Sequence, residues 1–117
     1  MIKNNSNGRI LAKNTKHCKS FFGKAKGLMF TLPKQDLGLV FHFPKEEIIP
    51  ITMLFVFYPI DILWLNKKKE IVEIKEKAIP FSFSISPKRK AKYVVELPSG
   101  KISESKTKLN DEITFEA

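Results

Sequence analysis

The sequence predicts a mainly β fold, a single-domain β barrel or sandwich with one or two short helices. Roughly six to eight segments alternate apolar and polar residues or form short apolar runs, as strands do. Turn signals rich in Gly, Pro, Asn or Lys separate these segments about every eight to twelve residues, a spacing typical of all-β domains. The 117 residues are 43% hydrophobic and include ten Phe, which is enough to build one buried core.

The N-terminal part predicts a tail followed by a helix. We expect residues 1–8 to form a flexible tail and residues 9–117 to form the single domain. From Thr15 to Lys26 the apolar residues recur at helical spacing. Thr15 can cap the start of this helix and Gly27 can end it, so a helix is predicted between them.

The rest of the chain predicts strands joined by short connections. The predicted strands are Leu37–Phe43, Ile51–Tyr58, Ile60–Leu65, Glu70–Glu76, Phe81–Ile85, Ala91–Leu97 and Ile113–Phe115. Pro44 is expected to end the first strand, with Lys45–Glu47 as a loop, and Pro59 to mark a corner because proline cannot donate to a sheet. Asn66–Lys69 is predicted to form a hairpin turn, and Lys101–Lys108 to hold one or two helical turns.

Composition favours a soluble, cytoplasmic protein. The segment Ile48–Leu65 is nearly all apolar, but Pro50 and Pro59 interrupt it, so two buried strands explain it better than a membrane span. The N-terminus has no apolar signal-peptide region. The single cysteine, Cys18, excludes an internal disulfide and fits a reducing compartment.

The net charge of +9 is concentrated in the N-terminal third. Residues 1–35 carry eight basic and no acidic side chains, whereas the other 82 residues carry 13 basic and 12 acidic ones. This asymmetry is the electrostatic pattern of a nucleic-acid-binding surface. A lysine-rich composition without any binding role explains the same asymmetry, and we favour this explanation.

The order of short motifs resembles the DUF192 family of small domains. The motifs are Gly27-Leu28-Met29-Phe30, Gly38-Leu39-Val40-Phe41, Met53 through Pro59-Ile60-Asp61, Tyr93–Leu97 followed by Gly100, and Leu109–Ile113. The resemblance spans about Arg9 to Phe115, and it implies a compact β fold without implying a reaction. The family commonly carries Trp-Met-Lys-Asn-Thr before Pro-x-Asp, where this chain has Thr52-Met53-Leu54-Phe55-Val56, so the polar pair is replaced by apolar side chains.

Asp61 is the leading candidate site residue because an isolated carboxylate heads an apolar run. Burying it without partners would cost several kcal/mol. It therefore either accepts backbone hydrogen bonds at the corner after Pro59, the favoured interpretation, or belongs to a shallow polar ligand site. Met53 and His42 complete that predicted ligand-binding set, with His42 on the strand face opposite Phe41 and Phe43.

No metal site, cofactor or catalytic group is predicted. His17 and His42 have no ligand spacing between them, and adjacent His17 and Cys18 point apart on the predicted helix. Glu73 and Glu96 read as solvent-facing strand positions. A hydrolase using Asp61 with Glu96 or His42 would need these side chains in one cleft, so whether the protein is an enzyme stays open, with a non-enzymatic role favoured.

The leading functional prediction is a binding or accessory module for a small polar ligand or a protein, with no membrane partner. The alternative is weak nucleic-acid binding by the basic N-terminal third and the run of Lys88, Arg89, Lys90 and Lys92, next to Tyr93. Protection of a sheet edge by lysines explains the same run without a ligand.

Overall fold

The computed structural model describes residues 1–18, 36–51, 53, 58–81 and 85–116. In chain order the elements are β1 (Ile2–Asn4), β2 (Ile10–Ala12), β3 (Asn14–Cys18), β4 (Leu37–Glu47), β5 (Ile60–Leu65), β6 (Ile71–Ala78), β7 (Ala91–Pro98), α1 (Lys101–Glu104) and β8 (Ile113–Phe115). A mainly β chain with a short helix was predicted, and this prediction is confirmed.

The strands form two sheets. One has three strands in the order β2-β1-β8, and the other has five in the order β3-β4-β7-β5-β6. Only β3 pairs parallel, with β4, among the pairs between described strands, and all the others are antiparallel. Within the described ranges the two sheets do not close into a barrel, and their packing fits the predicted barrel or sandwich class.

The two faces of the five-stranded sheet bury different apolar clusters. The inner face, which meets the three-stranded sheet, carries Val40, Leu63, Leu65, Val95 and Leu97 packed with Ile2, Leu11, Ala12 and Ile113. The outer face carries Leu39, Phe41, Ile62, Trp64 and Val94, packed with Cys18 and Met53. Because both faces are covered, β7 at the centre of this sheet is buried on both sides, unlike a half-exposed strand.

The two sheets pack closely at Gly38. A Cβ atom built there would lie 3.1 Å from both Ala12 Cβ and Leu97 Cδ2, and still closer to Ile2 Cδ1. Real side chains rarely tolerate such distances, so a larger residue at position 38 would push β1 away from the five-stranded sheet. Glycine is thus required by packing at this position.

The structure corrects the predictions for the N-terminal segment. Residues 2–4 of the predicted tail form β1, which pairs with both β2 and β8, and Ile2 is fully buried. The helix predicted from Thr15 to Lys26 is wrong for Thr15–Cys18, which lie in β3. Pairing with β4 outweighs the local helical spacing, as tertiary context often does. The remainder of that predicted helix lies outside the described residues.

Pro44 does not end the strand. β4 continues through Pro44 to Glu47, so the loop predicted at Lys45–Glu47 is wrong. The pairing with β7 breaks between His42 and Glu47, and this irregularity accommodates a residue that has no N–H to donate. Proline marks a gap in the ladder here, while the extended backbone carries on.

Several predicted elements are confirmed. The strands Ile60–Leu65 and Ile113–Phe115 have the predicted bounds, and β7 extends the predicted Ala91–Leu97 by one residue. The turn at Asn66–Lys69 is closed by the Asn66 and Glu70 backbone. Most of the strands predicted at Ile51–Tyr58 and Phe81–Ile85 lies outside the described residues, and their ends meet in an Ile51–Ile85 bridge. The described part contains no helix long and apolar enough to cross a bilayer.

Candidate functional site

Asp61 is a fully buried carboxylate with three backbone donors. Its Oδ1 accepts from the Lys77 N–H at 2.9 Å, and its Oδ2 accepts from Gly100 at 3.1 Å and Ile102 at 2.9 Å. The Ile102 amide belongs to the first turn of α1, where no preceding partner is available. Asp61, a residue of β5, thus caps the N-terminal end of α1.

The Lys77 contact fixes an irregularity in β6. Ile60 pairs with Ala78 and Ile62 with Lys75, so two residues of β6 stand opposite Asp61. Lys77 adopts a φ angle of 51°, which residues other than glycine rarely adopt. The Asp61 carboxylate satisfies the amide that this bulge removes from the ladder, so Asp61 joins β5, β6 and α1.

The three residues predicted to bind a ligand do not come together. Asp61 pairs with Leu97 of β7, whereas His42 pairs with Tyr93. Tyr93 and Leu97 are four residues apart on β7, so His42 and Asp61 are offset by about 13 Å along the strand direction. Met53 is fully buried and belongs to the outer-face cluster, so it lies across the sheet from Asp61.

Glu96 is buried in the middle of the outer face, and its predicted exposure is wrong. Its side chain is 6% exposed, and its partners in register are Leu39 and Ile62, both buried. Alternation cannot reveal which polar residue faces solvent when a central strand is covered on both sides. Glu73 of the edge strand β6 is only half-buried.

The carboxyl group of Glu96 lies in largely apolar surroundings. No hydrogen bond or ion pair reaches it from the described residues. Burial raises the pKa of Glu96 from 4.5 to about 7, because the apolar surroundings disfavour the charged form. Burial also raises the pKa of the Cys18 thiol, which lies close enough to feel the charges of Lys16 and Glu96. An acid that titrates near neutrality in an apolar setting is typical of functional sites.

The geometry does not assemble the hydrolase constellation. Glu96 lies on the outer face and Asp61 on the inner face, so the sheet separates the two carboxyl groups. General acid and base groups must reach one substrate, and these side chains point away from each other.

His42 forms a cluster that the sequence did not predict. The Nδ1 atom of His17 lies 2.7 Å from the Nε2 atom of His42, a hydrogen bond whose donor depends on the tautomers. The two imidazole rings pack with the rings of Tyr93 and Phe115, and the centroids of rings in contact lie 5.0–5.9 Å apart. We call these four residues the histidine–aromatic patch, and each is partly exposed.

The patch was missed because a helix was predicted over Thr15–Lys26. In β3, His17 pairs with Val40, which brings its ring beside that of His42. A parallel pairing between distant segments has no local sequence signal. Within the described ranges, the patch included, no three His, Cys, Asp or Glu side chains are grouped as metal ligands would be.

The predicted basic run is largely accessible. Lys88, Arg89 and Lys90 are exposed, and Lys92 is half-buried with its Nζ atom 5.8 Å from the Tyr93 ring centroid. Lys88 and Arg89 line a groove of about 290 Å³ beside β6. In the N-terminal third, Lys3, Arg9, Lys13 and Lys16 are exposed, and the other four basic residues lie outside the described part.

Relatives of this chain are archaeal proteins known by a family name alone. A UPF0127 protein from Thermococcus sibiricus is 35% identical over 118 residues, covering 99% of this chain and 75% of its own length. A UPF0127 protein from Pyrococcus furiosus is 32% identical over 114 residues, covering 96% of this chain and 95% of its own length.

Two crystal structures share the fold. A protein of unknown function from Novosphingobium aromaticivorans matches with a TM-score of 0.86 and 21% identity, covering 97% of this chain and 81% of its own. A protein from Sinorhizobium meliloti matches with a TM-score of 0.81 and 24% identity, covering 86% and 79%. The DUF192 family model, described as "Uncharacterized ACR, COG1430", matches residues 2–115. The chain therefore belongs to the DUF192 family, as its ordered motifs predict.

Proposed function

We propose that this protein is a non-enzymatic binding module and that Glu96 is the group that recognises its ligand. The single observation that carries the proposal is the buried carboxyl of Glu96, which has no hydrogen bond from the described residues. Buried polar groups are normally paired, and an exception calls for an explanation. A ligand that supplies the missing partner is such an explanation.

Asp61 is a weaker candidate for the same role. Its three backbone contacts occupy both carboxylate oxygens, and none of its surface is exposed. The proposed polar site is therefore Glu96, on the opposite face of the sheet from Asp61.

The cytoplasmic location predicted from the lone Cys18 stays a prediction.

The surroundings of Glu96 define the chemistry of the ligand. Leu39 and Ile62 flank it and are buried with it, so a ligand group that reaches the carboxyl enters apolar surroundings. An ammonium group would stabilise the ionised carboxylate and offset the desolvation that raises its pKa. The proposed ligand is thus an organic amine with an apolar substituent.

Amine binding is expected to depend on pH through Glu96. Below a pKa of about 7 the carboxyl is protonated, so binding of an ammonium group must release a proton. The affinity should then fall by about tenfold for each pH unit below that pKa. Hexylamine is a suitable probe, with hexan-1-ol as the uncharged and hexanoate as the oppositely charged control. Calorimetry at pH 5.5 and pH 8 measures both the affinity and the proton release.

Two variants test whether Glu96 is the group that binds hexylamine. Glu96→Gln should abolish hexylamine binding, while Glu73→Gln, which neutralises a half-buried carboxyl on the edge strand, should leave it unchanged. Equal binding of hexylamine to Glu96→Gln, or equal binding of hexan-1-ol and hexylamine to the native chain, would overturn the proposal. So would the absence of hexylamine binding at both pH values.

A second candidate function is nucleic-acid binding through the basic run. It is favoured by one observation, the exposure of Lys88, Arg89 and Lys90 beside an open groove. The similar structure from Sinorhizobium meliloti is described as a candidate transcription regulator, although at 24% identity that likeness concerns the fold. In the basic N-terminal third, Lys3, Arg9, Lys13 and Lys16 are exposed and add further positive charge.

Salt dependence tests this second candidate. Labelled single-stranded RNA and duplex DNA are titrated at low and near-physiological salt. Replacing Lys88, Arg89 and Lys90 together by Gln should weaken binding and flatten its salt dependence, since each lost phosphate contact lowers the slope by about 0.7–0.9. Replacing the exposed Lys77, Lys106 and Lys108 by Gln removes the same charge outside both basic segments. Equal losses in both triple variants would mark the binding as generic and reject the run as a site.

A further inference from the structure

We infer that the histidine–aromatic patch is a nucleotide-binding surface that holds a base against its rings and a phosphate beside Lys69 and Lys92. The shared chemistry is that of a free nucleotide and of a single-stranded nucleic acid, and the experiment below distinguishes these sources. The patch lies on the inner side of the five-stranded sheet, so it does not depend on Glu96. It deepens the second candidate function by naming a surface for the bases.

The rings come from four different strands. His17, His42, Tyr93 and Phe115 lie on β3, β4, β7 and β8, at the junction of the two sheets. The Tyr93 and Phe115 rings meet at 69° with centroids 5.5 Å apart, and both contact the His42 ring edge-on. Strands hold these rings in fixed positions, and partly exposed aromatic rings on strands are the surfaces on which bases stack.

Polar atoms next to the rings provide hydrogen-bonding capacity. The Nε2 atom of His17 is buried and has no hydrogen-bond partner among the described residues. The Oγ1 atom of Thr15, two residues earlier on the same face of β3, is in the same state. Unpaired buried atoms of this kind are costly unless something binds them. Imidazole and hydroxyl groups can both donate to and accept from the edge of a base.

Two lysines place positive charge at the rings. The Nζ atom of Lys69 lies 4.4 Å from the Phe115 ring centroid and 5.9 Å from that of Tyr93. The Nζ atom of Lys92 lies 5.8 Å from the Tyr93 ring centroid. No carboxylate among the described residues lies within ion-pair distance of either lysine. A phosphate is thus the complementary group for both ammonium groups.

Two acidic residues in this region are engaged by other groups. Glu116, which is close enough to interact with His17, accepts a hydrogen bond from the N-terminal amine. Glu46 accepts from the Lys67 backbone N–H at 2.8 Å in the neighbouring turn. The lysine-rich turn 67–69 adds further positive charge, so the surroundings favour an anionic ligand over a metal cation.

The test uses uridine monophosphate and a labelled uridine decamer as probes, with binding followed by fluorescence anisotropy and by the imidazole proton shifts of His17 and His42. Tyr93→Leu should weaken decamer binding by about 5- to 150-fold, the range expected for one stacked base. Lys69→Asn and Lys92→Gln should weaken it less and lower its salt dependence. Asn suits position 69 because that residue has φ 64°.

Each outcome is decisive. Binding of the decamer and the monophosphate, both lost in Tyr93→Leu, identifies a nucleotide site, and binding of the decamer alone identifies single strands as the source. If Tyr93→Leu is misfolded, the two surface lysine variants carry the comparison. Decamer affinity unchanged in Lys69→Asn and Lys92→Gln, with loss only in the Lys88, Arg89 and Lys90 triple variant, would overturn the patch and retain the second candidate. No binding of either probe would overturn the patch.

Discussion

Replacing Glu96 by Gln is expected to stabilise the protein by about 3 kcal/mol at pH 8. The carboxyl titrates at 4.5 in an unfolded chain and at about 7 in the folded protein. Below pH 4.5 both states are protonated and Glu96 carries no penalty. Between pH 4.5 and 7 the unfolded chain ionises first, so the free energy of unfolding falls as the pH rises. Above pH 7 the full penalty is present.

Urea unfolding of the native chain and of Glu96→Gln, measured from pH 4 to pH 8, checks this expectation. The difference between the two should be small at pH 4 and grow steadily to pH 8. Glu73→Gln serves as the control, since that carboxyl is only half-buried. A destabilised Glu96→Gln at pH 8, or a difference that does not vary with pH, would show that the carboxylate has a partner in the folded protein.

The opposite effect is expected at the other buried carboxylate. Asp61→Ala should destabilise the protein by about 3–5 kcal/mol, because it leaves three amides without an acceptor in a buried setting. Asp61→Asn should cost about 1–3 kcal/mol. Its single oxygen can still accept from Gly100 and Ile102, while its NH₂ group would face the Lys77 N–H.

The same unfolding measurement at pH 7 ranks these variants. Asp36→Ala removes an exposed carboxylate and should change the free energy of unfolding by less than about 0.5 kcal/mol. A loss below about 1 kcal/mol in Asp61→Ala would contradict the capping role and return Asp61 to the list of ligand-binding candidates. Asp61 is thus expected to stabilise the folded protein, whereas Glu96 is expected to destabilise it.

The sequence predicted the fold class but not the sites, for a physical reason. Strands such as β5 and β7 are encoded locally, because the β-branched and apolar residues that form them lie next to one another. The partners of a strand are not encoded locally. Glu96 seemed exposed because its strand alternates, and only the position of β7 between β4 and β5 shows that both faces are covered.

The same limit applies to Asp61 and His17. A carboxylate accepting backbone hydrogen bonds was the favoured interpretation of Asp61, but its donors belong to β6 and to the start of α1, far along the chain. His17 was assigned to a helix from local spacing, whereas pairing with β4 made it part of a strand and brought it to His42. Long-range pairing created both contacts, so a local pattern could not predict them.

The measurement that tests the account most directly is the pKa of Glu96 itself. The side-chain carboxyl carbon is followed by ¹³C NMR between pH 3 and pH 9, and its resonance is assigned by comparison with Glu96→Gln. A midpoint near 7 is the predicted result, as burial without a partner requires. A midpoint near the ordinary 4.5 would mean that the carboxylate is already solvated or paired, and the proposed binding site would lose its basis.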